Sequence, residues 1–240
     1  MTIDFFRREG RSRPPHPAVQ KRVLRVIRDA IVKGWELIRT APPTGFTLAT
    51  ATEDVVTVAL YNTLVNRVLY GRLVPGFTPD LFRVSREPKV YSYDSSSLDK
   101  MPDMFFHLIT DRAAAFPDQD GVYAECKPID TSHPVGGHYC DRGLWRFIKG
   151  EYGWTMREGM MIGYTASGYV IPQDLITSLA AAPRTTTMPM TGGPEPIYLA
   201  SGNAHCQLPH WTTHTRNFKY KCTGIAAPEI LIHHLWLIRN

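Results

Sequence analysis

At 240 residues, with 43% hydrophobic and 20% charged side chains, the chain has enough apolar material for a sizeable core, which excludes a disordered or low-complexity polymer. A net charge of +5 and a pI near 9.0 lean towards a polyanionic partner. No run approaches the ~18 apolar residues that a membrane span requires.

From the N-terminus, no long apolar segment follows the charges at Arg7 and Arg8, so no secretory signal is expected. Residues 7–16 form a basic arm punctuated by Pro and Gly, which reads as a solvated terminus or a strap over a phosphate backbone. Apolar residues at Val19, Val23, Val26, Ile27, Ile31, Trp35 and Ile38 follow a helical period and predict a helix from Ala18 to Thr40. Pro42-Pro43-Thr44-Gly45 ends it. A second helix is predicted from about Thr52 to Tyr70, with Thr52 as N-cap and Glu53 and Asp54 in the first turn, where the macrodipole favours acids.

Residues 81–93 read as extended chain interrupted by Pro88. Two strand-length apolar runs follow, Pro102 to Ile109 and Gly121 to Lys127, flanking a loop that contains Asp111, Arg112, Asp118, Gln119 and Asp120. A third helix is predicted from Asp141 to Trp154, then a buried strand at Met160 to Tyr164 and a helix from Pro172 to Ala182. Residues 183–195 read as a loop, and Ile197 to Leu199, His214 to Tyr220 and Ile230 to Ile238 as extended segments. Between residues 50 and 165 the order is helix, three extended segments, helix and strand, which predicts helices packed on a mixed sheet.

The two central strands carry the chemistry. Glu125 and Lys127 are two residues apart, so on a strand they share one face, while Val122, Ala124 and Cys126 point to the other. Asp103 opens the preceding run, and an antiparallel pairing brings it near them. Two carboxylates and an ammonium at one sheet edge suit a hard cation, which takes oxygen ligands.

Pro102-Asp103, a gap of 22 positions, and Glu125-Cys126-Lys127 together resemble the PD-(D/E)xK signature of restriction-endonuclease-like nucleases. The resemblance covers roughly residues 50–165. It implies an α/β fold with that family's core of helix, three strands, helix and strand, extended by a helical N-terminal part (1–49) and a mostly β C-terminal part (166–240), all in one domain. It also implies a Mg²⁺-dependent endonuclease, with Mn²⁺ able to substitute. Asp103 and Glu125 would bind the metal with the backbone carbonyl of Cys126, Lys127 would assist the attacking water, and Glu53 would be an auxiliary ligand, with Asp54 its nearest competitor. The implied partner is nucleic acid, double-stranded DNA first. A homodimer, a partner subunit in a restriction or phage-defence system, and a cytoplasmic location are further expectations.

Arg142, Arg146 and Lys149 recur at helical spacing and are expected on one face, either solvated or along a nucleic-acid backbone. His107 shares Asp103's strand side if the strand is regular, and is expected near the site or as a partly buried structural histidine. Two groups offer a rival zinc reading: His133, His138 and Cys140, then His205, Cys206, His210 and His214. His210-x₃-His214 fits one half of the paired spacing of a structural zinc site, and the remaining residues do not supply the other half. The four cysteines, Cys126, Cys140, Cys206 and Cys222, lack CxxC spacing and are expected as reduced thiols. No Walker, dinucleotide or G-x-S-x-G motif is present. The alternative functional reading is a catalytically silent protein of the same fold that binds nucleic acid or serves in assembly.

Overall fold

A computed structural model of the chain describes residues 13–110, 112–197 and 204–239. Most of the basic arm (residues 7–12), Asp111 and the Tyr198–Leu199 pair lie outside the described residues. The end of the arm is packed: His16 is buried, its backbone N–H donates to the Thr155 carbonyl at 2.7 Å, and its ring lies 3.3 Å from Asp120.

The fold is mixed α/β, built on one seven-stranded sheet. Its elements are α1 (Lys21–Thr40), α2 (Glu53–Thr63), β1 (Phe82–Arg86), β2 (Met104–Leu108), β3 (Gly121–Ile129), α3 (Trp145–Ile148), β4 (Glu158–Thr165), α4 (Ile171–Ala180), α5 (Arg184–Thr187), β5 (Met190–Pro196), β6 (His210–His214) and β7 (Ile230–Ile238). The strand order is β1-β2-β3-β4-β7-β6-β5. β1, β2 and β3 form an antiparallel meander, β3, β4 and β7 are parallel, and β7, β6 and β5 are antiparallel. The parallel centre follows from its sequence: β3 and β4 are buried along their whole length, as strands covered on both faces must be.

Helices cover both faces. α1 and α2 pack where Cys126, Ile162 and Tyr164 point. There Trp35 stacks on Tyr164 at 5.5 Å, and the Thr57 and Tyr164 hydroxyls are 3.1 Å apart. The opposite face carries Glu125, Lys127, Met161 and Trp236 and is covered by a π-helical segment, Val135–Leu144, that runs into α3. That close approach needs Gly143. A Cβ there would stand 2.5 Å from the Met161 methyl and 3.3 Å from the Lys127 Cγ. One apolar core extends from α1 to β7, and a smaller aromatic cluster of Trp154, Phe218 and Tyr220 lies beside it.

Several elements differ from the sequence expectation. The third helix begins earlier, in π geometry, and ends at Ile148, so Tyr152 and Trp154 sit in turns. Residues 183–195 are not a loop but supply α5 and most of β5. The strand expected at His214 to Tyr220 lies at His210–His214 instead, and residues 215–220 are irregular. The four cysteines carry free thiols, three of them buried. Among the described residues no helix is long and apolar enough to cross a membrane.

Candidate active site

The site forms where β2 and β3 part. Their pairing begins at Met104 opposite Ala124 and runs towards Gly121, so β3 continues beyond Ala124 with no strand on that side. The backbone groups of Cys126 therefore need other partners. Asp103, one residue before β2, accepts the Cys126 N–H on Oδ2 at 2.6 Å. The Cys126 carbonyl accepts from Lys127 Nζ at 2.7 Å. The Cys126 thiol points into the core on the other face, where burial raises its pKa well above the ordinary value.

Lys127 Nζ is the hub. It lies 2.9 Å from Glu125 Oε1, 2.9 Å from Glu53 Oε1 and 3.8 Å from Asp103 Oδ2. The structure thus brings together four of the residues singled out in the sequence, and the Cys126 carbonyl joins them. Glu53 enters from the first residue of α2, whereas Asp54 beside it is exposed. Burial lowers the Lys127 pKa, but the charges of Glu125, Asp103 and Glu53 outweigh it and the net shift is upward. Lys127 therefore stays an ammonium at neutral pH. Burial and the adjacent Glu125 charge push Asp103 up to about 7, against the pull of Lys127 and the Cys126 N–H.

Glu125 is the most enclosed acid, 1% exposed. Its Oε2 accepts a hydrogen bond from the Tyr152 hydroxyl. Its Oε1 is ion-paired to Lys127 and, at 3.2 Å, to Arg146, yet has no hydrogen bond of good geometry. Tyr152 falls within the helix that the sequence predicts from Asp141 to Trp154. A buried tyrosine hydroxyl needs a partner, and that requirement was the one available hint of its role.

The other candidates separate. Arg146 reaches the site, while Lys149 turns to Glu151 at 2.7 Å. Arg142 is exposed, within electrostatic range of His138. His138 in turn feels Glu53 and Lys127. Its pKa is lowered by partial burial first, then by Arg142 and His133. His107 is remote from the acids, its Nε2 3.0 Å from the Pro117 carbonyl at the far end of β2. His210 and His214 lie on β6, with His214 hydrogen-bonded to Thr212. Among the described residues no three His, Cys, Asp or Glu side chains stand close enough to hold a metal ion.

The donor set nevertheless suits a hard cation. Two carboxylates and a backbone carbonyl, all oxygens, converge on a single point of positive charge, and Glu125 Oε1 keeps unused lone pairs. In this arrangement the ammonium of Lys127 is itself the cation between the acids, which accounts for their spacing. No family model matches the chain, and no curated protein and no solved structure matches it.

Proposed function

We propose that the chain is a divalent-metal-dependent nuclease that hydrolyses phosphodiester bonds, with duplex DNA as the substrate class. The carrying observation is the convergence of Asp103, Glu125 and the Cys126 carbonyl on Lys127 Nζ at the point where β2 and β3 part. The element order supports it. A helix, an antiparallel three-strand meander, a crossover through helical chain and a parallel fourth strand agree with the core of restriction-endonuclease-like nucleases.

In this reading Asp103, Glu125 and the Cys126 carbonyl would hold Mg²⁺, with Glu53, at the N-terminus of α2, as an auxiliary ligand. The ion, when bound, offsets phosphate charge and lowers the pKa of its water. Lys127 is held protonated by three acids in the metal-free site. It orients the attacking water by donating a hydrogen bond and offsets the negative charge that builds on the phosphate. Asp103 must be ionised to serve as a ligand, and burial with the Glu125 charge, which push its pKa up to about 7 in the metal-free site, makes the ion compete with a proton for it. Arg146 and Tyr152 fix the Glu125 carboxylate between them.

The test is cleavage of supercoiled DNA with Mg²⁺ or Mn²⁺ by the wild type, Lys127→Ala and Asp103→Ala. The expected result is metal-dependent cleavage that both substitutions abolish. Cleavage that survives both substitutions removes the assigned site. DNA binding without cleavage under either ion favours the silent nuclease-fold protein instead, a reading that gains some support from the lysine already seated among the acids.

A further inference from the structure

We propose that Lys100, Arg146 and Lys149, gathered by Glu151, form the rim that grips the nucleic-acid backbone beside the scissile phosphate. The proposal rests on the nuclease reading and names the substrate contact of that same site.

The cluster is assembled from two separate stretches of chain. Glu151 follows Gly150, which adopts φ +74, and a Cβ there would meet the Phe218 ring at 2.8 Å and Tyr93 at 3.0 Å. Only glycine satisfies both demands. The turn is tied to the loop before β2 by the Tyr93 N–H, which donates to the Gly150 carbonyl at 3.0 Å, and Tyr93 in turn stacks on Phe218 at 4.3 Å. The same loop closes through a bridge between Val90 and Lys100. Glu151 is therefore placed to meet Lys149 at 2.7 Å, Lys100 at 3.0 Å and Arg146 at 3.9 Å.

Exposure shows which charges face outwards. Glu151 is 15% exposed, whereas Lys100, Arg146 and Lys149 are 35%, 37% and 39% exposed. One covered acid thus holds three outward cations, and the surface they present is net positive. Arg146 joins this rim to the acids, since it also lies 3.2 Å from Glu125 Oε1. A polyanion on the rim is then held beside the site through Arg146. A backbone of repeating phosphates has the chemistry to engage several such cations at once.

The experiment is a salt titration of binding to a fluorescent DNA duplex in EDTA, so that no cleavage intervenes. Wild type is compared with the Lys100→Gln/Lys149→Gln double variant and with Glu151→Gln, each checked for folding by circular dichroism. At ~0.9 in the slope of log affinity against log salt per phosphate contact, the double variant is expected to lose about 2 from that slope. Glu151→Gln is expected to bind more tightly with its slope kept. A double variant with the wild-type slope overturns the proposal, as does weakened binding by Glu151→Gln. Failure of the nuclease reading looks different. The double variant then still loses slope, while the wild type cleaves nothing in Mg²⁺.

Discussion

Asp103→Asn separates a site held for function from a salt bridge held for stability. In the folded protein the Asp103 carboxyl is pushed from 3.8 up to about 7, first by burial and then by Glu125. Below about pH 4 the carboxyl is protonated whether the chain is folded or not, so the substitution leaves stability nearly unchanged there. Between about pH 4 and pH 7 the unfolded chain gives up this proton while the folded one keeps it, and the native state pays progressively; above pH 7 the cost is constant. The full displacement corresponds to at most ~4 kcal/mol. Screening of a side chain that is 22% exposed, together with relaxation of the Lys127 contact, brings the expected gain to about 1–2 kcal/mol. Asparagine keeps an oxygen for the Cys126 N–H, so the local backbone is not orphaned. Urea unfolding near pH 4 and near pH 8 measures the effect. The expected outcome is a variant more stable than wild type at the higher pH only, and inactive at both. A variant destabilised near pH 8 would show that Asp103 serves chiefly as an ion-pair partner, and the reasoning would fail.

Tyr152→Phe leaves Glu125 Oε2 buried without its donor and is expected to cost about 1–3 kcal/mol of stability. It is also expected to weaken Mg²⁺ activation ~10–100-fold in metal affinity; a stability loss with unchanged Mg²⁺ dependence would mark the tyrosine as structural only. The buried histidines of β6 and β7 predict acid lability. Burial holds His214 and His233 down at about 4 and His234 well below its ordinary value, so these rings stay neutral in the fold while the unfolded chain takes up protons. Stability is therefore expected to fall as pH drops from about 6.5 towards 4, by up to ~3 kcal/mol for each of His214 and His233. Denaturation midpoints that stay flat across that range would contradict it.

How much of this was legible in the sequence depended on whether a signal was local. β3 and β7 were visible because their apolar runs are long and bounded, and α1 because its period is regular. The spacing of Glu125 and Lys127 fixed their shared face, and the structure adds Asp103 and Glu53 to the same nitrogen. β5 was invisible: Met190–Pro196 holds two glycines and two prolines, and it forms as an edge strand, with register shifts, only because β6 lies beside it. β6 was misplaced because two of its three inward positions are histidines and the third is Thr212. They are satisfied by a buried chain in which the Thr212 hydroxyl lies 2.8 Å from His214 Nε2 and 2.7 Å from His234 Nε2, with Tyr139 at 2.8 Å from His234 Nδ1. Closeness in sequence, with one His-x₃-His pair, offered zinc ligands there, and only the fold reveals hydrogen-bond partners instead. Tyr152, Glu151 and Lys100 likewise gain meaning from contacts between distant segments, which no periodicity encodes.

The central claim is that these acids hold a divalent ion in the position the Lys127 ammonium now takes, and the most direct measurement is where such an ion lands. Anomalous diffraction from crystals soaked in Mn²⁺ locates it. The account predicts one ion bound by Asp103, Glu125 and the Cys126 carbonyl, with Lys127 Nζ withdrawn from its 2.9 Å contact with Glu125. An ion bound only elsewhere, or none, with Lys127 still bridging Glu53 and Glu125, would contradict it.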